Sequence, residues 1–131
     1  MLLAVLLGVA GCTTTAPDTA YRRELEKAIS AGSCEPRALE NMWAAYHQWY
    51  AVSSSLADYH QFYEAEALLR QGEMFSILGC RDVARASYDM LLKRFPGPDH
   101  RSARERAAAA LTDLNPPPMP LQPNPTAVRS L

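Results

Sequence analysis

A pattern of small and bulky residues between Ala65 and Pro98 constrains the fold of this chain more than any other feature. Two small residues, Gly72 and Ala84, lie among bulky apolar ones at intervals that suit two antiparallel helices. Small side chains let two helix backbones approach closely, and bulky ones fill the remaining space. The segment therefore predicts a helical hairpin whose two helices end at Gly79 and Pro96. The bulky residues expected inside the hairpin are Leu68, Phe75, Tyr88 and Leu91.

The spacing resembles one complete tetratricopeptide repeat, a hairpin of about 34 residues. Positions 65–73 and 91–96 are similar to repeats of periplasmic envelope-assembly and cell-division proteins, although Gln71 replaces the usual apolar residue. The alternative is a plain two-helix hairpin with chance spacing. In such repeats the first helix lines the partner-binding concave face. Carried over by position, the resemblance implies that this face is formed by Glu66, Leu69, Glu73, Ser76 and Ile77. Such a face could bind a peptide or a helix. The alternative is a solvated face that binds nothing.

One repeat cannot bury its own faces, so flanking helices are expected to cap it. We predict helices near positions 21–29, 36–50, 56–78, 81–94 and 99–114, and no strand. Asp18 or Thr19 is the predicted cap of the first helix, which is expected to stop near Gly32, and Ser33 is the predicted cap of the second. Ser53–Ser55 is a predicted break. The expected fold is all-α, a small bundle of about five helices spanning residues 19–115.

Aromatic residues crowd the second and third predicted helices. Core packing explains most of them, because their spacing follows a buried stripe. Trp49 and Phe62 lie off the centres of their stripes. Exposed aromatics often form the centres of protein interfaces, so we predict these two as partner-binding anchors.

Residues 1–11 are apolar throughout and too few to span a bilayer, which needs roughly 20 residues in a helix. Val9-Ala10-Gly11-Cys12 resembles the lipobox of bacterial lipoproteins. The resemblance implies a signal peptide over 1–11, cleavage after Gly11 and acyl chains such as palmitate on Cys12, with a tether over 12–18. No Lys or Arg precedes the apolar run, which predicts a true start upstream of Met1. The alternative is an ordinary secreted or buried apolar N-terminus.

Three cysteines are present, and lipid on Cys12 would leave Cys34 and Cys80. An even pair in an oxidising periplasm predicts a disulfide, which in the chain-entropy model contributes roughly 4 kcal/mol. Two separate, partly buried thiols are the alternative.

Residues 116–131 are rich in proline, which forbids a helix and favours an extended tail. Such a tail is either a disordered terminus, the interpretation we favour, or a ligand for an aromatic groove in a partner.

The charge is nearly balanced, with 13 basic and 14 acidic residues, which predicts no nucleic-acid partner. His60 and Glu64 have a spacing that could hold a metal, but surface positions on a helix are the favoured interpretation. No nucleophile elbow, phosphate-binding loop or other catalytic signature is found. We therefore expect no catalysis, no metal or cofactor besides the covalent lipid, and no small-molecule substrate.

Taken together, these features predict an outer-membrane lipoprotein that faces the periplasm and acts as an adaptor or scaffold in an envelope complex. The absence of Asp at position 13 resembles the outer-membrane rather than the inner-membrane sorting signal of lipoproteins in enteric-type bacteria. Its expected partners are envelope proteins and, through the lipid, the membrane. One alternative is a pilot lipoprotein that delivers a secretion-channel subunit to the outer membrane. A less favoured one is an enzyme of cell-wall metabolism.

Overall fold

The computed structural model describes residues 16–56 and 61–114, except the side chain of Phe62. It contains five α-helices: α1 Pro17–Ala31, α2 Pro36–Ser53, α3 Phe62–Ile77, α4 Arg81–Arg94 and α5 Arg101–Leu114, with a 3-10 turn at Pro98–His100 before α5. No strand occurs among these residues. The predicted all-α fold of about five helices is therefore confirmed. The helices form two compact units, one with α1 and α2 and the other with α3, α4 and α5.

Proline and glycine set the limits of α1. The helix begins at Pro17, where the missing N–H costs nothing, and no side chain caps it. The predicted cap at Asp18 or Thr19 is therefore wrong, since both residues already lie within the helix. The predicted stop is confirmed. Gly32 adopts φ 70°, which a residue without Cβ tolerates, and its N–H donates to the Ile29 carbonyl at 3.1 Å.

The cap of α2 lies two residues beyond the predicted Ser33. Pro36 takes the first helical position, so the residue before it becomes the cap. The Glu35 carboxylate accepts hydrogen bonds from the backbone N–H groups of Arg37 and Ala38 at 3.1 and 2.7 Å. The helix ends at Ser53, as predicted, because the hydroxyls of Ser53, Ser54 and Ser55 each donate to the carbonyl three residues earlier.

Aromatic rings form the core of the α1–α2 unit. The Tyr21 ring lies 5.3 Å from Trp49 and 5.9 Å from Tyr46, centroid to centroid. Tyr46 meets Trp49 edge to face at 6.5 Å. All three side chains are buried, together with Met42 and Ala28. Aromatic pairs in such geometry stabilise beyond their area burial, by about 0.5–1.5 kcal/mol each.

The second unit is built on the predicted hairpin of α3 and α4. Helix α3 begins at Phe62, six positions after the predicted start at Leu56, and residues 57–60 lie outside the described part of the chain. Gly79 has φ 80° at the turn, and the Cys80 N–H donates to the Phe75 carbonyl at 2.8 Å. This left-handed turn is the predicted one.

The closest approach in the hairpin lies at Gly72. A Cβ there would lie 2.4 Å from the Tyr88 ring, so only glycine fits. Ala84, Phe75, Leu68 and Leu91 are fully buried, as predicted. The small residues thus permit the contact between helices, and the large ones fill it.

Helix α5 is attached to α4 through arginine side chains. The Arg104 guanidinium donates to the carbonyls of Leu92 and Phe95 at 2.7 and 2.9 Å, which satisfies groups left open at the end of α4. At the other end of α5, Arg81 donates to the Leu114 carbonyl. Ala103 and Ala107 are buried, consistent with a close approach.

Candidate functional site

A stripe of exposed and half-buried residues runs the length of α3. We use the name α3 stripe for six positions three or four residues apart, which lie on one face of a helix: Tyr63, Glu66, Ala67, Arg70, Met74 and Ile77. Its two ends carry large apolar side chains, Tyr63 at 66% and Ile77 at 81% exposed. At 1.5 Å per residue these ends are about 21 Å apart along the helix axis.

The opposite face of α3 is sealed. Its buried residues are Glu64, Ala65, Leu68, Leu69, Gln71, Gly72 and Phe75. This division explains why the helix forms: one face leaves water while the other stays solvated. An Ile side chain that stays exposed forgoes roughly 1.5–3 kcal/mol of burial. Ile77 is the most exposed large apolar side chain among the described residues, followed by Tyr63 and Leu56.

The predicted concave face and the α3 stripe point in different directions around the helix axis. The angle between them is slightly less than the ~100° that separates successive residues. Glu66 and Ile77 belong to both, whereas Ser76 is exposed but lies about 100° around the helix from Ile77. Leu69 is only 1% exposed, so its prediction as a partner-binding residue is wrong. Its helical angle places it with the buried face, next to Leu68. Glu73 lies at the edge and forms an ion pair with Arg106 of α5.

The two predicted aromatic anchors have different outcomes. Trp49 is 5% exposed, so its prediction as an exposed anchor is wrong, because its ring packs on Tyr21 and Tyr46. The side chain of Phe62 lies outside the described residues. Its neighbour Tyr63 is the large exposed aromatic on α3. The exposed aromatic side chain therefore lies one residue along the helix from the predicted anchor.

Tyr63, Arg70 and Met74 were not predicted as site residues. A signal for them existed, because positions 63, 66, 67, 70, 74 and 77 follow the three-and-four spacing of one helix face. Reading that face as exposed requires knowing which faces α4 and α5 cover.

A buried polar relay joins α3 to α4 and was also missed. The Gln71 amide donates to the Ser87 hydroxyl at 2.8 Å, and that hydroxyl donates to the Val83 carbonyl at 2.7 Å. Both Gln71 and Ser87 are fully buried. The departure of Gln71 from an apolar residue is thus matched by a partner on the facing helix. This relay fixes the register of the hairpin behind the stripe.

The ion pair at the edge of the stripe lies beside a buried tyrosine. Burial raises the pKa of the Tyr88 hydroxyl above its ordinary value of 10.0, the Glu73 carboxylate raises it further, and Arg106 opposes the rise. Tyr88 therefore stays neutral and packed against Gly72 at physiological pH.

Several other predictions concern cysteine, histidine and lipid. Cys34 and Cys80 are both disulfide-bonded, which confirms the predicted disulfide. Cys12 lies outside the described residues, and so does His60. Glu64 is fully buried, so the interpretation of that position as a surface residue is wrong. Within residues 16–56 and 61–114 no three His, Cys, Asp or Glu side chains are grouped to hold a metal ion.

A shallow cavity of about 360 Å³ lies at the turn between α4 and α5, lined by Pro96, Gly97, Pro98, Arg101, Arg104 and Glu105. The Arg104 guanidinium already serves the α4 carbonyls. The cavity brings together no nucleophile and base, so the α3 stripe remains the stronger candidate.

None of the described helices is long and apolar enough to cross a membrane. Comparisons with protein-family models, with curated proteins and with solved structures found no match to this chain.

Proposed function

We propose that this chain is a lipid-anchored adaptor of the bacterial envelope, which binds a protein segment through the α3 stripe and performs no catalysis. The single observation that carries the proposal is the exposure of Ile77 and Tyr63 at the two ends of one helix face. Large apolar side chains left in water at defined spacing suit a helical or extended partner segment.

The support for a fixed binding face comes from the hairpin behind it. The Gly72–Tyr88 contact and the Gln71–Ser87 hydrogen bond hold α3 against α4. The Glu73–Arg106 pair adds a link from α3 to α5. A face on packed helices loses little entropy when a partner binds.

The chemistry of the stripe limits its partner. Glu66 and Arg70 lie between the apolar ends with opposite charges, so the stripe has no strong net charge. A partner segment would need apolar side chains near its two ends and neutral or mixed polarity between them. A single helix face is far smaller than the roughly 800 Å² per partner of a standard interface. The expected affinity is therefore modest.

The anchoring half of the proposal rests on the lipobox resemblance at Cys12. Only Thr13–Ala16 separate this residue from α1. A tether of that length holds the first helix within about 18 Å of the lipid. Multiple acyl chains on one residue suffice for stable attachment.

The test of the anchor is Cys12→Ser in the native host. We expect the wild-type chain in the membrane fraction, cleaved before residue 12 and heavier by its acyl chains in intact mass spectrometry. The variant should keep its leader and carry no lipid. An unmodified wild-type chain would remove the lipoprotein part of the proposal.

The test of the face uses a photo-crosslinking amino acid at position 77 in living cells, with position 76 as the matched control. Both positions are exposed, but their side chains point about 100° apart around the helix. We expect a specific protein adduct from position 77 and none from 76.

The adduct protein is then measured in co-purifications with Ile77→Asp and Ser76→Asp chains. Both variants add one negative charge to α3, and neither position is buried. Ile77→Asp should reduce recovery about tenfold, equivalent to ~1.4 kcal/mol, and Ser76→Asp should not. Equal recovery with both would show that the partner binds elsewhere.

A further inference from the structure

The cavity at the turn between α4 and α5 is lined by two side chains of opposite charge, Arg101 and Glu105. Both are exposed, and they lie four positions apart on one face of α5. Opposite charges at this spacing often pair with each other. Here they do not, and neither side chain forms an ion pair or a hydrogen bond with any other residue that the structure describes. Both charges are therefore available to a ligand in the cavity.

The third charged side chain of the cavity, Arg104, is already fixed in place. Its Nη1 donates to the carbonyls of Leu92 and Phe95 at 2.7 and 2.9 Å. A guanidinium carries five N–H donors on three nitrogens, so these two bonds leave the donors of Nη2 and Nε for other acceptors. Because the α4 carbonyls hold the group, a ligand that binds it does not have to immobilise the side chain.

The rest of the cavity wall comes from Pro96, Gly97 and Pro98. The two proline rings are apolar and have no N–H to offer, and Gly97 adds no side chain. The volume of about 360 Å³ lies at the lower end of the range for small-ligand sites. Apolar walls with a few charged groups are the usual lining of such sites.

The charges of the cavity select the chemistry of its ligand. Two guanidinium groups, those of Arg101 and Arg104, attract a carboxylate. The Glu105 carboxylate repels a ligand that is only anionic, such as phosphate, and attracts an ammonium group. A ligand that satisfies both conditions carries a carboxylate and an ammonium close together, as a free α-amino acid does.

We propose that this cavity binds a free α-amino acid with an apolar side chain. The carboxylate of the ligand binds Arg101 and Arg104, and its ammonium binds Glu105. Its side chain packs on the rings of Pro96 and Pro98. The cavity brings together no nucleophile and base, so the amino acid is bound and not converted. None of these residues belongs to the α3 stripe, so the site adds a second function to the proposed adaptor.

The test is a titration of the ¹⁵N-labelled full chain in detergent with leucine, followed by NMR. A small, open site with a few charged contacts should bind in the millimolar range. We expect the amide resonance of Gly97, which lines the cavity, to move and saturate. Gly79 lies at the α3–α4 turn and serves as the control that stays in place. A Gly97 resonance that does not move at tens of millimolar leucine would overturn the proposal.

Two analogues of leucine test the two charged contacts separately. N-acetylleucine keeps the carboxylate and the side chain but has no ammonium, and leucinamide keeps the ammonium but has no carboxylate. Each should bind about tenfold more weakly than leucine, since each loses one charged contact. An analogue that binds as tightly as leucine would overturn the proposed zwitterion site.

Four variants assign these contacts to residues, and all four positions are exposed in the native chain. Glu105→Gln should weaken leucine about tenfold without weakening N-acetylleucine, and Arg101→Gln should weaken both. Asp99→Asn and Arg106→Gln are the matched controls, because they remove the same charges from α5 or the turn before it but do not line the cavity. Equal effects of each variant and its control would show that leucine responds to net charge, which would overturn the site.

Discussion

The two units of this chain are packed by different means. In the α1–α2 unit, aromatic rings do the packing: Tyr21, Tyr46 and Trp49 lie 5.3–6.5 Å apart, centroid to centroid, and all are buried. In the α3–α5 unit, the helices pack by close approach of their backbones: Gly72 faces the Tyr88 ring, and buried alanines lie on α4 and α5. Aromatic rings stay in contact over a range of helix positions, whereas the Gly72–Tyr88 contact allows only one position of α3 along α4.

The difference shows where a precise surface can be built. Helix α3 is held by a steric contact at Gly72, a buried hydrogen bond from Gln71 and an ion pair from Glu73. Three contacts of different kinds fix its rotation, and with it the direction of the α3 stripe. The α1–α2 unit is packed through a few large aromatic side chains.

The largest expected effect comes from Trp49→Ala in the aromatic unit. Removing a buried indole leaves a cavity between Tyr21 and Tyr46, so the free energy of unfolding should fall by about 4 kcal/mol. Urea denaturation followed by circular dichroism measures the loss. The control, Trp49→Phe, keeps a ring in place and should lose less than half as much. A loss under ~1 kcal/mol for Trp49→Ala would mean that the rings do not form the core of this unit.

The next effect belongs to Gly72→Val. The new side chain would collide with the Tyr88 ring, which a Cβ alone would approach to 2.4 Å, and we expect a cost of about 3 kcal/mol. Gly97→Ala is the matched control, because its nearest neighbour, in His100, would lie 4.0 Å away and its φ is an ordinary −69°. That control should be neutral or slightly stabilising. Equal effects of the two changes would contradict the contrast drawn between the units.

A smaller effect is expected at the buried relay. Ser87→Ala removes the hydroxyl that accepts from the Gln71 amide, which costs about 1–3 kcal/mol. Adding Gln71→Leu removes the other partner and restores an apolar fit, so the double variant should be more stable than Ser87→Ala alone. Thermal unfolding of the four chains gives the coupling energy. Purely additive losses would show that the hydrogen bond is not what holds the register.

Local chemistry made the C-terminal ends of α1 and α3 predictable, whereas the candidate site depends on tertiary packing and was less predictable. Gly32 and Gly79 announce left-handed turns from the sequence alone, because few other residues adopt positive φ cheaply. The cap at Glu35 was missed because Pro36 takes the first helical position. The residue before it then becomes the cap, since its carboxylate can accept hydrogen bonds from the first backbone N–H groups. Leu69 and Trp49 were misplaced because α3 and α2 each have several plausible apolar faces. Which of them is buried depends on the neighbouring helices, and that information is not in either helix.

The smallest effects concern the ion pair between Glu73 of α3 and Arg106 of α5, at the edge of the stripe. They test whether these two charges act on the buried Tyr88 hydroxyl. Glu73 and Arg106 act on the Tyr88 pKa in opposite directions, so Glu73→Gln should lower that pKa and Arg106→Gln should raise it. Tyrosine ultraviolet titration of the two variants gives the signs, and the exposed pair itself should contribute less than ~1 kcal/mol to stability.

Because the pKa of folded Tyr88 is raised, the folded state keeps a proton that the unfolded state loses near 10.0. Stability is thus unaffected below that pH and falls as the pH rises from there through the folded pKa. Arg106→Gln should extend this fall to higher pH, whereas Glu73→Gln should shorten it. Shifts of the same sign in both variants would mean that Tyr88 responds to a change in packing and not to the charges of α3 and α5.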